Sequence, residues 1–311
     1  MSRVHDALKK AEQEKVLLGE PESTVEMPTP MAPGLHQREA ASGAVSERPF
    51  AKAESPAGQV EAPGAFLARC SHQEWKTDAT LTRHVDARRH TLVSEEFRSL
   101  RSRLYFMRKA RPLQKLLVTS PLPNEGKTFL AANLARVIAK QPETRVLLID
   151  GDLRMCSLNA VMGAPQEPGL TQYLAGGLDI TSVIQRGPTE NLFFIPGGAT
   201  ASNPTELFGN GRLEFLLEQV TQVFDWIIFD SPPTIPVSDS RLLAAFCDGV
   251  LMLVNAGTTP FDLAQRACAE FPKDQLLGVI INRVDQHHTY GSYYYYGKKD
   301  HHKGNGKGAK V

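Results

Sequence analysis

Pro121-Leu122-Pro123-Asn124-Glu125-Gly126-Lys127-Thr128 is the stretch that decides the fold. A short apolar run, Leu116–Thr119, precedes it, and a helical pattern from Thr128 to about Lys140 follows it. A loop that binds phosphate needs a backbone bent so that its N–H groups converge on anionic oxygens. It also needs a helix N-terminus whose partial positive charge faces them. Gly126 supplies the backbone freedom, Lys127 a point charge for the β- and γ-phosphates, and Thr128 a hydroxyl for Mg²⁺. The usual pattern opens on Gly, and Pro121 stands there instead. As a plain loop the arrangement is unfavourable, because a lysine at a helix start opposes the helix dipole unless an anion is present. Asn124, Glu125, Gly126, Lys127, Thr128 and Phe129 are therefore expected to wrap a nucleotide, ATP with Mg²⁺.

Two further strand ends carry carboxylates. Leu147-Leu148-Ile149 runs into Asp150-Gly151-Asp152-Leu153-Arg154, and Trp226-Ile227-Ile228-Phe229 runs into Asp230-Ser231-Pro232-Pro233. Aspartates there emerge at the C-terminal edge of a sheet, where open α/β folds bind ligands. The pair Asp150 and Asp152 suits either Mg²⁺ or a proton taken from a hydroxyl nucleophile. Asp230, downstream of a phosphate loop, occupies the usual place of a second Mg²⁺ anchor. Further apolar runs at Val146–Ile149, Leu192–Ile195, Val250–Val254 and Val279–Ile281 are separated by helical stretches such as Arg212–Val223 and Ser240–Phe246. Asn203-Pro204-Thr205-Glu206 reads as a helix start with Asn as its cap. Continuous apolar strands alternating with helices predict an α/β fold: a mostly parallel sheet with helices on both faces, of the P-loop NTPase type.

Composition narrows the class. With a net charge of +1 the chain as a whole gives no reason to expect nucleic acid. Cys70, Cys156, Cys247 and Cys268 are widely spaced, which argues against a zinc site or a disulfide framework. They read as small core residues plus one linker thiol, Cys70. No run approaches the roughly 18 apolar residues of a membrane span, and the first fifteen residues lack a signal peptide's apolar centre. The expected location is cytoplasmic, with any recruitment to the inner face of the membrane made through a partner.

The flanks read differently from the centre. Residues 1–16 pattern as a short amphipathic helix with Val4, Leu8 and Ala11 on one face. Residues 17–90, with seven prolines from Pro21 to Pro63 among Ala, Gly, Ser and Glu, are expected to be a disordered linker. Residues 91–286 form the expected catalytic domain, and residues 287–311 a flexible tail. In that tail Tyr290, Tyr293, Tyr294, Tyr295 and Tyr296 gather five of the chain's seven tyrosines. Phosphorylating all five would add roughly −8 to −10 of charge, against five lysines and one aspartate in residues 298–311. The composition also suits an aromatic tail that adheres to a partner or to the chain's own surface. His287, His288, His301 and His302 have no companion carboxylate cluster and read as adventitious metal binders.

Taken together, these motifs resemble the bacterial tyrosine kinases of capsular and exopolysaccharide synthesis, in their cytoplasmic form. The chain is similar to that family at Thr119-Ser120-…-Glu125-Gly126-Lys127-Thr128, at Asp150-Gly151-Asp152-Leu153-Arg154, at Asp230-Ser231-Pro232-Pro233 and at Asn203-Pro204-Thr205-Glu206-Leu207. Glu95, Arg98 and Arg101 match its oligomerisation helix, and the tyrosine cluster stands where the family carries phosphoacceptors. The likeness covers about residues 91–297. It implies that Lys127 binds phosphates, Thr128 ligates Mg²⁺, Asp150 is the base, and Asp152 and Asp230 organise Mg²⁺. It further implies a ring-like homo-oligomer, a separate membrane co-polymerase that activates the enzyme, and a phosphotyrosine phosphatase.

Three rival readings share parts of this pattern. Switch ATPases of plasmid partition and septum positioning carry an extra lysine early in the loop, where this chain has Leu122. An iron–sulfur reductase would need cluster cysteines, and nothing pairs with Cys156 by pattern. An inactive kinase-like regulator is disfavoured by the intact Lys127, Asp150, Asp152 and Asp230.

Overall fold

The structure, a computed structural model, describes residues 62–76 and 92–284. The expected amphipathic helix at residues 1–16 and the tyrosine cluster lie outside the described residues. Eight strands form one sheet: β1 (Ser71–His72), β2 (Lys115–Thr119), β3 (Val146–Asp150), β4 (Gln185–Arg186), β5 (Leu192–Ile195), β6 (Trp226–Asp230), β7 (Gly249–Asn255) and β8 (Leu276–Asn282). Their spatial order is β1-β4-β5-β3-β6-β2-β7-β8. Every pairing is parallel except β4 with β5, so the short edge strand β1 and its neighbour β4 run against the other six.

The apolar runs are continuous because both faces are covered. Along β3, Leu147 and Ile149 enter one core while Val146 and Leu148 enter the other, and β6 divides Ile227 and Phe229 from Trp226 and Ile228 in the same way. That division follows from the two-residue period of a strand. One face is covered by α2 (Leu92–Ala110), α3 (Lys127–Ala139) and α4 (Leu158–Met162). The opposite face packs α5 (Leu170–Leu174), α8 (Arg212–Val220), α9 (Asp239–Ala244) and α10 (Phe261–Ala269), with α6 (Ile180–Val183) and α7 (Pro204–Phe208) beside them. In α2, Phe97 and Leu104 are buried on one side, as their spacing predicts. Asn203 does stand at the start of α7, but its side chain makes no capping bond. It donates instead to the Glu206 carboxylate at 3.5 Å.

One expectation needs correction. Residues 62–76 fell within the predicted disordered linker, yet they form α1 (Pro63–Ala68) and β1. The main-chain N–H of Ser71 donates to Ile184 at 3.1 Å, that of Gln73 to Arg186 at 3.0 Å, and that of Lys76 to Gly163 at 2.7 Å. The reason is a trio of anchors: Phe66, Cys70 and Trp75 are all buried. Trp75 packs edge-on against Phe194 with ring centroids 6.0 Å apart. Burying an aromatic ring contributes on the order of 2–3 kcal/mol, which offsets the ordering of a few residues. Cys70 is thus a core thiol rather than a linker thiol, and all four cysteines are free. Proline content masked two aromatic anchors spaced nine residues apart.

Candidate active site

The central strands β3, β6, β2 and β7 all point their C-terminal ends the same way, so their last residues converge on one edge. Asp150 and Asp230 are direct partners at the ends of neighbouring strands β3 and β6. Val118, one residue before the end of β2, pairs with Asp230 from the other side. The loop from β2 to α3 closes over this edge. Gly126 caps α3 with φ +103°, a conformation that costs glycine nothing and other residues strain. A Cβ there would also lie 2.7 Å from Asn282 Nδ2. Gly151 is similarly confined: a Cβ would lie 2.8 Å from the Asp230 carbonyl oxygen.

Lys127 opens α3 and is buried, 7% exposed. Asp230 is 1% exposed, and neither of its carboxylate oxygens has a hydrogen-bond partner among the described residues. Thr128 and Lys127 are its favourable neighbours, but neither closes a hydrogen bond of ordinary geometry onto it. Burial pushes the Asp230 carboxyl up to about 7, against the pull of Thr128 and Lys127. Asp150 is wholly buried, and burial and the charge of Asp230 hold its carboxyl well above the usual carboxylate range. Its Oδ1 accepts the Asp152 amide at 3.1 Å and its Oδ2 the Leu158 amide at 3.1 Å. Asp152 is raised by burial too, while Lys127 draws it down. Three buried carboxylates around one ammonium form a site short of positive charge.

The structure therefore brings Lys127, Thr128, Asp150, Asp152 and Asp230 together. It gives Glu125 a different neighbourhood from the one expected of a nucleotide contact. That carboxylate is 2% exposed. It accepts the Leu122 amide at 2.9 Å and the Thr259 hydroxyl. The Asn255 amide in turn donates to Thr259 Oγ1 at 2.9 Å. Asn282, at the end of β8, donates to the Glu125 carbonyl at 2.8 Å, and Arg283 donates to the Asn124 carbonyl at 3.3 Å. Strand-end position is the sequence signal that marks Asn255 and Asn282.

Arg154 makes a two-pronged ion pair with Asp239, Nε to Oδ2 at 2.7 Å and Nη2 to Oδ1 at 3.2 Å. Asp239, 1% exposed, also accepts the Thr205 hydroxyl at 3.0 Å. Reading by motif reached Arg154 and Thr205 but missed Asp239, because nothing in the intervening chain announces the contact. On α2, Glu95 pairs with Arg98, and Arg101 donates to the Val137 carbonyl at 3.0 Å, bonding α2 to the last turns of α3.

Comparison with known proteins bears on the same elements. The family model described as an AAA domain matches residues 124–261. Tyrosine-protein kinase YwqD of Bacillus subtilis is 33% identical over 214 residues, 68% of this chain and 89% of that one. Tyrosine-protein kinase CpsD of Streptococcus agalactiae is 32% identical over 212 residues, 67% of this chain and 91% of that one. The chimerical protein CapA2B2 superposes with a TM-score of 0.62 at 26% identity, covering 71% of this chain and 97% of that chain. The kinase domain of the Escherichia coli tyrosine kinase ETK gives 0.57 at 28% identity, covering 75% and 100%. Relatives above 30% identity aligned over nearly their whole length, together with a fold shared with solved kinase domains, place this chain in the bacterial tyrosine-protein kinases, as a protein-tyrosine kinase of the nucleotide-binding P-loop type.

Proposed function

We propose that this kinase transfers the γ-phosphate of ATP–Mg²⁺ to the tyrosines of its own C-terminal cluster, Tyr290, Tyr293, Tyr294, Tyr295 and Tyr296. The observation that carries the reading is Asp230: a buried carboxylate without a hydrogen-bond partner, beside Lys127 and Thr128 at a helix N-terminus. An uncompensated carboxylate of that kind is costly unless a cation completes it. Mg²⁺ fits, since it is held through one or two carboxylates plus substrate phosphates rather than by an all-protein cage. Among the described residues no three His, Cys, Asp or Glu side chains form such a cage.

Thr128 would supply a hydroxyl ligand, and Asp152 and Asp230 would hold the ion's waters. Bound there, the ion neutralises charge on the transferring group. Lys127 and the α3 N-terminus hold the phosphates in place. Asp150 accepts the tyrosine hydroxyl proton as the phenolic oxygen bonds to the γ-phosphorus and the β–γ bridging bond breaks. Because Asp150 is wholly buried, the segments that cover it must move before a tyrosine reaches it.

In this reading Glu95, Arg98 and Arg101 build a ring-like homo-oligomer in which one subunit's tail enters a neighbour's site. Arg98 and Arg101 already hold intramolecular partners, so their part is to shape α2 as well as to meet a second copy. A separate membrane co-polymerase would activate the enzyme, a phosphotyrosine phosphatase would reset it, and the output would be control of polysaccharide synthesis or export at the inner face of the membrane. The protein itself would be cytoplasmic, as its resemblance to the family's cytoplasmic form implies. No described helix is long and apolar enough to cross a membrane.

Intact-mass spectrometry after incubation with ATP–Mg²⁺ tests the central claim. The wild type should gain a ladder of phosphates that is absent from Lys127→Met and from a chain ending at His288. Phosphate that persists in both variants would overturn the assignment, and ATP hydrolysis without any ladder would favour a switch ATPase.

A further inference from the structure

The sheet ends on β8, whose sequence Leu276-Leu277-Gly278-Val279-Ile280-Ile281-Asn282 carries no charge and no proline. Among the described strands it pairs only with β7, so its outer row of N–H and C=O groups has no strand beside it. Val279 is 37% exposed and Ile281 43%, and Val284 just beyond is 46% exposed. Natural proteins blunt such edges with charge, proline or a bulge, or they cover them, because a bare apolar edge strand recruits other chains. Here residues 279–282 use none of the first three devices: the one irregularity of β8 falls earlier, at Leu277, which the register skips between the pairs Val250–Leu276 and Leu251–Gly278. Beside β8, on the α2 and α3 face, runs a groove of about 820 Å³ whose apolar lining includes Phe97, Leu100 and Phe129 and whose charged lining is Glu95, Glu96 and Arg103.

We infer that the tyrosine segment Tyr290–Tyr296 of the same chain docks on this edge as a ninth, antiparallel strand. Where the chain goes next argues for that occupant. It leaves β8 at Asn282, and Tyr290–Tyr296 has the same seven-residue length as β8. Pairing Asn282 with Tyr290 leaves residues 283–289 as the connection, a short antiparallel return. By the two-residue period Tyr290, Tyr294 and Tyr296 then share one face and Tyr293 and Tyr295 the other. One set fills the groove against Phe97 and Phe129, and the other shields Val279 and Ile281. Tyrosine suits both places because its ring buries apolar area while its hydroxyl stays wet. A phosphorylated ring does not, since a buried dianion loses its hydration. Docking and modification therefore exclude each other, a consequence that rests on the tail-kinase reading above.

Hydrogen exchange of the full chain tests the docking. The outward-facing amides of residues 278–282 should exchange at least about tenfold faster when the chain ends at His288. They should do the same in full-length Tyr294→Pro, which removes one ladder donor and keeps the other four tyrosines. Protection in the intact chain should be unchanged across a wide dilution series. Equal exchange in intact, truncated and Tyr294→Pro chains would overturn the proposal, and so would protection that fades on dilution, which would mean a second copy covers the edge. After incubation with ATP–Mg²⁺, protection should fall in step with the phosphates counted by mass. Protection retained in a phosphorylated chain would overturn the exclusion. If no phosphate is gained, the tail-kinase reading fails while the exchange comparison on unmodified chains still decides the docking.

Discussion

The Glu125 carboxylate accepts the Thr259 hydroxyl, joining the phosphate loop to the segment between β7 and α10, 134 residues further along the chain. With the Leu122 amide on its other oxygen at 2.9 Å, this buried group fixes the loop's shape rather than facing a ligand. Thr259→Val should leave the carboxylate with one partner fewer and weaken nucleotide binding about tenfold, the effect of losing roughly 1–2 kcal/mol at a buried hydrogen bond. Thr259→Ser should bind as the wild type does. Calorimetric titration with ADP checks both, and equal affinity in Thr259→Val would show that the bond does not shape the site.

The pair Arg154–Asp239 ties the segment after β3 to the first turn of α9. Arg154 is 37% exposed on its side chain and Asp239 1%, so solvent screens the pair from one side only. Arg154→Ala would leave Asp239 buried with Thr205 as its remaining side-chain partner. We expect a loss of about 1–3 kcal/mol, less than for a fully buried pair, and a thermal midpoint lower by several degrees. Asp239→Asn with Arg154 intact should lose less. Differential scanning calorimetry separates the two.

Stability should depend on pH in a direction set by the three buried aspartates. Burial raises Asp150, Asp152 and Asp230 above the ordinary carboxylate range, Asp230 to about 7. In the folded chain these groups hold protons that the unfolded chain releases near pH 4. Their contribution is therefore fully present below about pH 4 and lost as the pH rises through their folded values. The nucleotide-free protein should lose thermal stability between about pH 5 and pH 8. Asp230→Asn should flatten that slope, and Mg²⁺ with ADP should stabilise more at the upper end. A midpoint that rises through the window would contradict the burial argument.

The segment 62–76 belongs to the kinase domain as an edge of its sheet. Trp75 sits so close to Gly187 that a Cβ there would collide with the indole ring. Trp75→Ala should cost about 3 kcal/mol, as truncation of a buried aromatic does. Gly187→Ala should destabilise as well, by forcing the ring out. Beginning the chain at Thr91 should lower the thermal midpoint at least as far as Trp75→Ala. An unchanged midpoint in the shortened chain would make the edge an ornament to the fold.

Much of the centre was legible in sequence, because each signal there is local. Leu192–Ile195 forms its strand over the expected residues, and β2, β3, β6 and β7 each extend the predicted run by one or two residues. β8 begins three residues earlier than Val279, its start blurred by Gly278. The phosphate loop, its glycine and the lysine at the head of α3 stood where a strand-loop-helix pattern put them. The edge strand β1 was not legible: two residues, Ser71 and His72, have no alternation to detect, and proline in the preceding stretch pointed toward disorder.

By itself the sequence determined the class of fold, the order along the chain of the six longer strands, and the three strand ends where phosphate-loop and carboxylate residues gather. Hydrophobic period and turn chemistry act between near neighbours, so they can be read without knowing where the chain goes next. Only the tertiary structure decided what those residues face. It set Thr259 against Glu125, Asp239 against Arg154, Trp75 against Phe194, and left β8 at the rim of the sheet. Such contacts form when packing brings distant segments together, and a polar side chain selects its partner from whatever the sheet places beside it.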